Sequence, residues 1–527
     1  MTRINTNVPS LTAQRVLAQN TNQLNSSLER LSTGLQINRG KDNPAGLIAS
    51  QNLRAEIAAV GSAVTNAERA DQVVNIAEGG LNEISGLLTE VQSLVTQTAN
   101  TAGLSREEKE ANQLQIDSIL QTIDRLSSAT SFQGVKLLNG GFDYQTSNVG
   151  TNVNQFKVNA AKLEFNGSRD VDVLVTQSAQ VGGFLLSFGS ANINLGGAGA
   201  TDGAGSQFVI EIGGTEGSRE FSFASGTDVA DIVSTINSFT DVTGVTARVS
   251  GGSGVRIEST TQGSDEFVSV QVIDDGGIDG SDGIYGLSAN NVDALGSLSS
   301  TFAAATNKIV DEGQDVQATI NGIVATTRGT TARINTDFLD VEIDLLYDTG
   351  GGAGPNAAQL GLVEAFTITG GGADFQLAGQ VDIAGKVGIG ISNVAVRDLG
   401  RATLTVKDSS GTDVDETYTL QDFTSGKDLN VVDGNLTAAQ EVIDRSIREV
   451  SSLRGRLGAF QANTVGATIR NLGVSLENTT SAESVIRDAD FASETAGLTR
   501  SQILSSSAQS TLQLANTQPQ SALQLLG

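Results

Sequence analysis

The sequence has no cysteine, no histidine and no tryptophan, and its one methionine is the first residue. Without cysteine there is neither a disulfide nor a thiolate metal site. Without histidine there is no Ser-His-Asp triad, no His-Glu-x-x-His zinc helix and no imidazole base working near neutral pH. Carboxylate pairs can still work without either, but the composition argues against catalysis and the acidic residues are too dispersed to point to such a pair. No apolar run approaches the roughly 20 residues that span a bilayer. Met1 to Asn7 has no apolar h-region, so the expectation is a cytosolic chain or one exported without a cleaved signal peptide.

What is present is unevenly spread. The net charge is −27 over 527 residues. Residues 141–435 carry 14 basic and 38 acidic side chains, a net of −24, whereas 1–140 and 436–527 are close to neutral. Of 61 glycines, 45 lie in that middle region. The ends therefore read as balanced helical material, and the middle as an acidic, glycine-rich, β-like insert of two or three subdomains. Excess acid argues against nucleic-acid binding and favours a solvated surface.

The helical signal is clearest over residues 10–38. Leu17, Leu24 and Leu31 recur every seven residues, and Leu28 and Leu35 supply a second position of the repeat. Two apolar positions in seven make a narrow seam, which needs a partner helix. The spacing makes Ser10 the expected N-cap, and Lys41-Asp42-Asn43-Pro44 a break. A long periodic stretch follows to about Asn100, and Ser105-x-x-Glu108 forms a capping-box pattern ahead of Ile116, Leu120, Ile123 and Leu126. Alternating runs such as Phe208-x-Ile210-x-Ile212 and Val268-x-Val270-x-Val272 predict strands, and Asn321-Gly322 a tight hairpin. Breaks fall at 196–205, 274–286 and 350–354. Helical periodicity returns at Leu436, with Ile443, Ile447, Val450, Leu453 and Leu457 on one face. It resumes over about Thr495 to Gln518 with Leu498, Leu504 and Leu512, where Pro519 is expected to end or bend the helix. Leu523, Leu525 and Leu526 close the chain. The two ends are expected to come together.

The ends resemble bacterial flagellin. Leu31-Ser32-Thr33-Gly34-Leu35-Gln36-Ile37-Asn38 with Lys41-Asp42-Asn43-Pro44-Ala45-Gly46 is similar to that family's N-terminal signature. Phe132 to Gly140 is similar to its next landmark. Ala482 to Ala492, Ala515 to Gln520 and Leu525-Leu526 resemble its C-terminal signature. Residues 206–272 and 314–346 look like the β-rich insert of flagellins and hook-associated proteins. The resemblance implies an α+β multidomain subunit that polymerises into the hollow helical filament of the bacterial flagellum. It implies an inner terminal-helix domain (1–42 with 490–527), a helical domain with a β-hairpin (43–165 with 436–489) and a variable β-rich region (166–435, with a cut near 290–305 or 350). It further implies copies of itself as the main partner, an export chaperone on the C-terminal helix, cap and hook-junction proteins, an extracellular location, and no enzyme activity or cofactor. Leu17, Leu24, Leu28, Leu31, Leu35, Leu498, Leu504, Leu512, Leu523, Leu525 and Leu526 are then the expected polymerisation seam. A hook–filament junction protein, or a secreted adhesin acting through the middle region, are the alternative readings.

Other motifs are weaker. Asp274 to Gly283 is rich in oxygen donors but lacks the closing Glu of a calcium loop, so an exposed turn is expected. Gly385 to Gly390 lacks the Gly-Lys-Ser/Thr ending of a phosphate loop and alternates as a strand does. The Asn-x-Ser/Thr triplets at Asn25, Asn166, Asn435 and Asn478 read as chance. Leu88-Thr89-Glu90-Val91-Gln92-Ser93-Leu94 resembles the stretch by which the host innate receptor senses many flagellins. Where sensing is strong, arginine stands at the positions of Glu90 and Gln92. The reversed charge at Glu90 therefore predicts weak or absent sensing.

Overall fold

The structure is a computed structural model that describes residues 6–100, 103–164, 167–195, 207–278, 283–288, 291–346, 360–407 and 413–524. Its helices are α1 (Val8–Thr33), α2 (Pro44–Thr98), α3 (Arg106–Ala129), α4 (Val229–Asn237), α5 (Thr240–Thr243), α6 (Leu436–Ala459), α7 (Gly466–Arg487) and α8 (Phe491–Gln524). Contacts divide the chain into two compact units. One comprises residues 1–81, 375–387 and 454–527, and the other residues 82–374 and 388–453.

In the first unit both ends of the chain meet, as the paired helical signals predict. α1 starts at Val8, two residues ahead of the expected cap. Asn7 takes that role, its side chain accepting from the Ser10 amide at 3.1 Å, and Ser10 is buried instead. Gly34, in the left-handed conformation with φ of 73°, ends α1 well before residue 38. Pro44 opens α2, where its missing N–H costs nothing. Between α6 and α7 the helix passes through a π turn, Phe460–Val465. There Gln461 donates to Asp71 and Asn75, both at 2.9 Å. α8 runs on to Gln524, through position 519, where a stop or bend was expected.

The second unit has a helical part and two β-sandwiches. The helical part buries Ile84, Leu88 and Val91 with Ile116, Leu120, Ile123, Val442, Ile443 and Val450, each at most 2% exposed. The capping box at Ser105 and Glu108 is complete, with bonds of 2.8 and 3.3 Å. Asn435 caps α6 through its side chain, which accepts from the amides of Thr437 and Ala438.

The inner sandwich pairs a five-stranded sheet with a four-stranded one. The first has the order Ile323–Val324, Gln317–Ile320, Arg169–Gln177, Gly361–Gly371, Tyr144–Ser147, and the second the order Thr326–Arg328, Thr331–Asn335, Leu339–Leu345, Val153–Ala161. Strand Leu339–Leu345 buries every second residue against Val171, Val173 and Val175. Asn321-Gly322 turns as expected, both residues at positive φ, with Ile320 opposite Ile323.

The outer sandwich, residues 183–312, is inserted whole into the inner one. Its sheets run Asn291–Thr301, Gly283–Ser288, Gly183–Ser187, Gly254–Ser259, Val245–Ser250 and Ile309–Glu312, Phe267–Asp274, Gln207–Gly213, Ser218–Ala224. α4 and the rings of Phe188, Phe208 and Phe302, 5.1 to 5.7 Å apart, fill its core. The chain therefore passes between sandwiches near residues 178–183 and 312–317. Residues 291–301, where a cut was expected, are a strand inside the outer sandwich. The alternative cut near 350, the breaks at 196–205 and 350–354, and part of the Asp274–Gly283 stretch lie outside the described residues.

Candidate assembly surface

In the first unit α1 packs along α8, and the pair is stitched at both ends. Near the start of α1, Ser10 Oγ donates to Asn516 Oδ1 at 2.7 Å and Asn7 Nδ2 to the Ala515 carbonyl at 2.8 Å. Farther along, Asn20 Nδ2 donates to the Leu504 carbonyl and Arg30 pairs with Glu494 at 3.0 Å. Beyond Gly34 the two signature segments bond directly. The Gln36 amide donates to the Arg487 carbonyl at 2.7 Å and the Ala489 amide to the Gly34 carbonyl at 2.9 Å.

The signature residues have local reasons. Asp42 accepts the amides of Asn38 and Arg39, and the Arg39 bond above all holds its carboxyl below the usual carboxylate range. Asn43 Oδ1 caps α2 by accepting the Gly46 amide at 2.9 Å. A Cβ at Gly46 would stand 2.6 Å from Ile37 Cδ1 and 2.8 Å from Asn43 Nδ2, so any larger residue there must displace the buried Ile37 and the capping Asn43 side chains.

The seam itself follows two interlocking heptads. On α1 the inward positions are Ser10, Ala13, Leu17, Asn20, Leu24, Ser27 and Leu31; on α8 they are Glu494, Leu498, Ser501, Ser505, Ala508, Leu512 and Ala515. Of these only Ser10, Ala13, Ser27, Ser501, Ser505, Ala508 and Ala515 are buried, each 6–9% exposed. Small residues let the two backbones approach, and the leucines flank the line of contact. Leu17, Leu24, Leu31, Leu498 and Leu512 are half-buried there, whereas Leu35, expected in the same seam, lies beyond the end of α1 in a bridge with Asp488. Leu28 and Leu504 are 45% and 47% exposed, because the inward positions belong to Ser27 on α1 and Ser505 on α8. Leu525 and Leu526, and the side chain of Leu523, lie outside the described residues.

The pair leaves much apolar surface uncovered. Val8, Leu11, Phe491, Ile503 and Leu514 are each more than half exposed. An apolar groove of about 520 Å³ opens between the helices, floored by Ala13 and Ala508 and walled by Val8, Val16 and Leu504. In the second unit, Leu88, Val91 and Leu94 of the Leu88–Leu94 stretch are buried. Glu90 and the neighbouring Thr89 and Ser93 face solvent, and Gln92 donates to Asp444 at 2.6 Å.

No group of three or more His, Cys, Asp or Glu side chains is placed to hold a metal among the described residues. Among them, too, no helix is long and apolar enough to cross a membrane.

Comparison with known proteins agrees with this arrangement of the ends. Residues 4–143 match the bacterial flagellin N-terminal helical region, residues 440–526 the bacterial flagellin C-terminal helical region, and residues 207–261 the flagellin hook IN motif. The chain is 26% identical to flagellin B of Helicobacter pylori over 551 residues and 27% identical to a flagellin of Salmonella choleraesuis over 552, covering 99% of both chains in each case. It is 26% identical to the B-type flagellin of Pseudomonas aeruginosa over 569 residues, again at 99% coverage of both. A solved FliC structure from Burkholderia pseudomallei is 15% identical, covering 75% of this chain and 99% of that one, with a TM-score of 0.22. With the two helical regions of one family at opposite ends of the chain, and flagellins matching it over nearly its whole length, the chain belongs to the bacterial flagellin family and is a structural subunit of the flagellar filament.

Proposed function

We propose that this filament subunit polymerises through the uncovered faces of α1 and α8. The carrying observation is the mismatch between the two sides of this helix pair. Its inner seam is closed by alanine and serine, while Ile503 and Leu514 on the outside are each 64% exposed. Exposed aliphatic surface of that kind is stabilised when neighbouring copies cover it. Among the described residues, Leu17, Leu24, Leu28, Leu31, Leu35, Leu498, Leu504 and Leu512 are assigned to this contact; Leu523, Leu525 and Leu526 belong to the same expected seam by sequence alone. Repetition of one such head-to-tail contact without closure gives a helical tube.

In this reading residues 1–42 with 490–527 form the inner domain, 43–165 with 436–489 the next, and 166–435 the outer region, except that strands Tyr144–Ser147 and Val153–Ala161 pair with Gly361–Gly371 and Leu339–Leu345 and so belong with the sandwiches. The acidic outer region keeps the surface of the tube solvated. Export without a cleaved signal peptide, delivery by a chaperone holding the C-terminal helix, and contact with cap and hook-junction proteins complete the assignment. No catalysis is assigned. Charge at Glu90, and the Gln92 side chain held by Asp444, set this chain against strong sensing by the innate receptor for flagellin.

Seeded growth at moderate salt tests the proposal. The full chain should lengthen into hollow tubes visible by electron microscopy. Removing residues 1–35, or 495–527, should abolish growth while the β signal in circular dichroism persists. Tubes built from either trimmed chain would overturn it.

A further inference from the structure

We infer that the outer sandwich is fastened to the inner one as a single rigid body by a latch centred on the Asp315 carboxylate. Among the described residues the chain crosses between the sandwiches at two places, near residues 178–183 and 312–317. Two extended crossings alone would act as a flexible tether. Here they are cross-braced. Gln180 and Gln314 exchange both backbone bonds, at 2.8 and 2.9 Å, and Gln314 Nε2 donates to the Ser178 carbonyl at 3.0 Å.

Asp315 sits in the second crossing and holds both sides. One carboxylate oxygen accepts the Ser264 amide at 3.0 Å and the Gly329 amide at 2.7 Å; the other accepts the Ser264 hydroxyl at 2.7 Å. Ser264 lies on the outer sandwich, in the loop before strand Phe267–Asp274. Gly329 lies on the inner sandwich, in the turn between Thr326–Arg328 and Thr331–Asn335. An exposed Arg328–Asp265 pair at 2.8 Å spans the same joint.

The packing is backbone against backbone. A side chain at Gly313 would stand 2.4 Å from the Gly263 carbonyl and 2.7 Å from the Gln180 carbonyl. A joint this close, with a carboxylate accepting three bonds from two bodies, has no slack for rotation.

The absence of cysteine permits a clean test. Val249→Cys on the outer sandwich and Val324→Cys on the inner one, at positions 46% and 80% exposed, place one spin-label pair across the joint of the full chain. The latch predicts a single narrow distance distribution by double electron–electron resonance. Asp315→Ala should broaden it at least about twofold, and Asp315→Asn, which keeps an acceptor oxygen, should restore most of the sharpness. A distribution as broad in the parent as in Asp315→Ala, or as narrow in Asp315→Ala as in the parent, would overturn the inference. If Asp315→Ala fails to fold, amide exchange in the parent decides. Ser264 and Gly329 should exchange at least about tenfold more slowly than exposed loop amides, and unprotected exchange at both would sink the latch.

Discussion

Replacing Ile503 and Leu514 by alanine separates assembly from folding. The two positions are eleven residues apart on α8, about three turns, so they share a face. Each is 64% exposed in the isolated subunit. Fully burying such a side chain contributes about 1.5–3 kcal/mol, so covering the exposed two-thirds contributes about 1–2 kcal/mol each. At 1.4 kcal/mol per tenfold, either substitution raises the critical concentration about 5- to 30-fold, and the double variant about 30-fold to several-hundred-fold. The subunit's own stability should move by less than about 0.5 kcal/mol, since neither side chain is part of its seam and alanine favours the helix. Pelleting after seeded growth gives the critical concentration, and thermal circular dichroism of the unassembled chain gives the stability. Ala508→Leu is the contrasting variant, because it forces volume into the buried seam and should cost the free subunit about 1–3 kcal/mol. A double variant growing at the parental critical concentration would refute the assignment of this face to assembly. So would a melting point lowered by the whole effect, which would place both residues in the subunit's own fold.

Leu120→Ala empties a fully buried position among Ile116, Ile123 and the α2 and α6 side chains, and should cost about 2–5 kcal/mol in chemical denaturation. Glu90→Arg combined with Gln92→Arg removes the reversed charge and the Gln92–Asp444 bond, and should raise the response of reporter cells carrying the innate flagellin receptor; no change would show that this stretch does not govern sensing. Acid should open the latch. Burial pushes the Asp315 carboxyl up, but the Ser264 and Gly329 bonds and Arg328 outweigh it, leaving it below its ordinary 3.8. A lowered carboxylate stabilises above its unfolded value and ceases to as pH falls through the folded one. The spin-label distribution should therefore hold from neutral pH to about 5 and broaden below about 3.8. Asp311, pushed up by its own burial, protonates earlier and in the stabilising direction, so broadening that began above pH 5 would count against the Asp315 latch.

How much of this was legible in the sequence depends on how far apart the determining residues lie. The capping box at Ser105, the break at Pro44 and the Asn321-Gly322 turn were legible because each is settled within four residues. The heptad over α1 was legible too, but only one of its two rows. Spacings of three and four both fit a helix, and hydrophobicity favoured Leu28 where close packing against α8 selects Ser27, which is 8% exposed. Pro519 suggested a stop, yet α8 continues to Gln524. The nesting of the sandwiches could not be read, because Gly183–Ser187 finds its neighbours at Gly254–Ser259 and Gly283–Ser288, long after its own signal ends. The latch was hidden for a different reason: Ser264, Asp315 and Gly329 each look like ordinary turn residues.

The contrast between α3 and α7 shows why assembly can be made conditional in this chain. The two helices are nearly equal in length, at 24 and 22 residues. α3 buries Ile116, Ile119, Leu120 and Ile123, whereas α7 buries nothing and leaves Val474 and Val485 59% and 81% exposed. Burial of aliphatic side chains, not helix propensity, supplies most helical stability in water. α3 is therefore held by its own subunit. α7, with the alanine–serine seam of α1 and α8 beyond it, buries little within the subunit, and under the proposed assembly neighbouring copies would supply the rest. A leucine-closed seam would have held α1 and α8 without them and removed the energetic reason to polymerise. The small side chains at Ala13, Ser27, Ser505 and Ala508 bring the two helices together and leave Val8, Leu11, Ile503 and Leu514 more than half exposed, which is the surface the proposed assembly would cover.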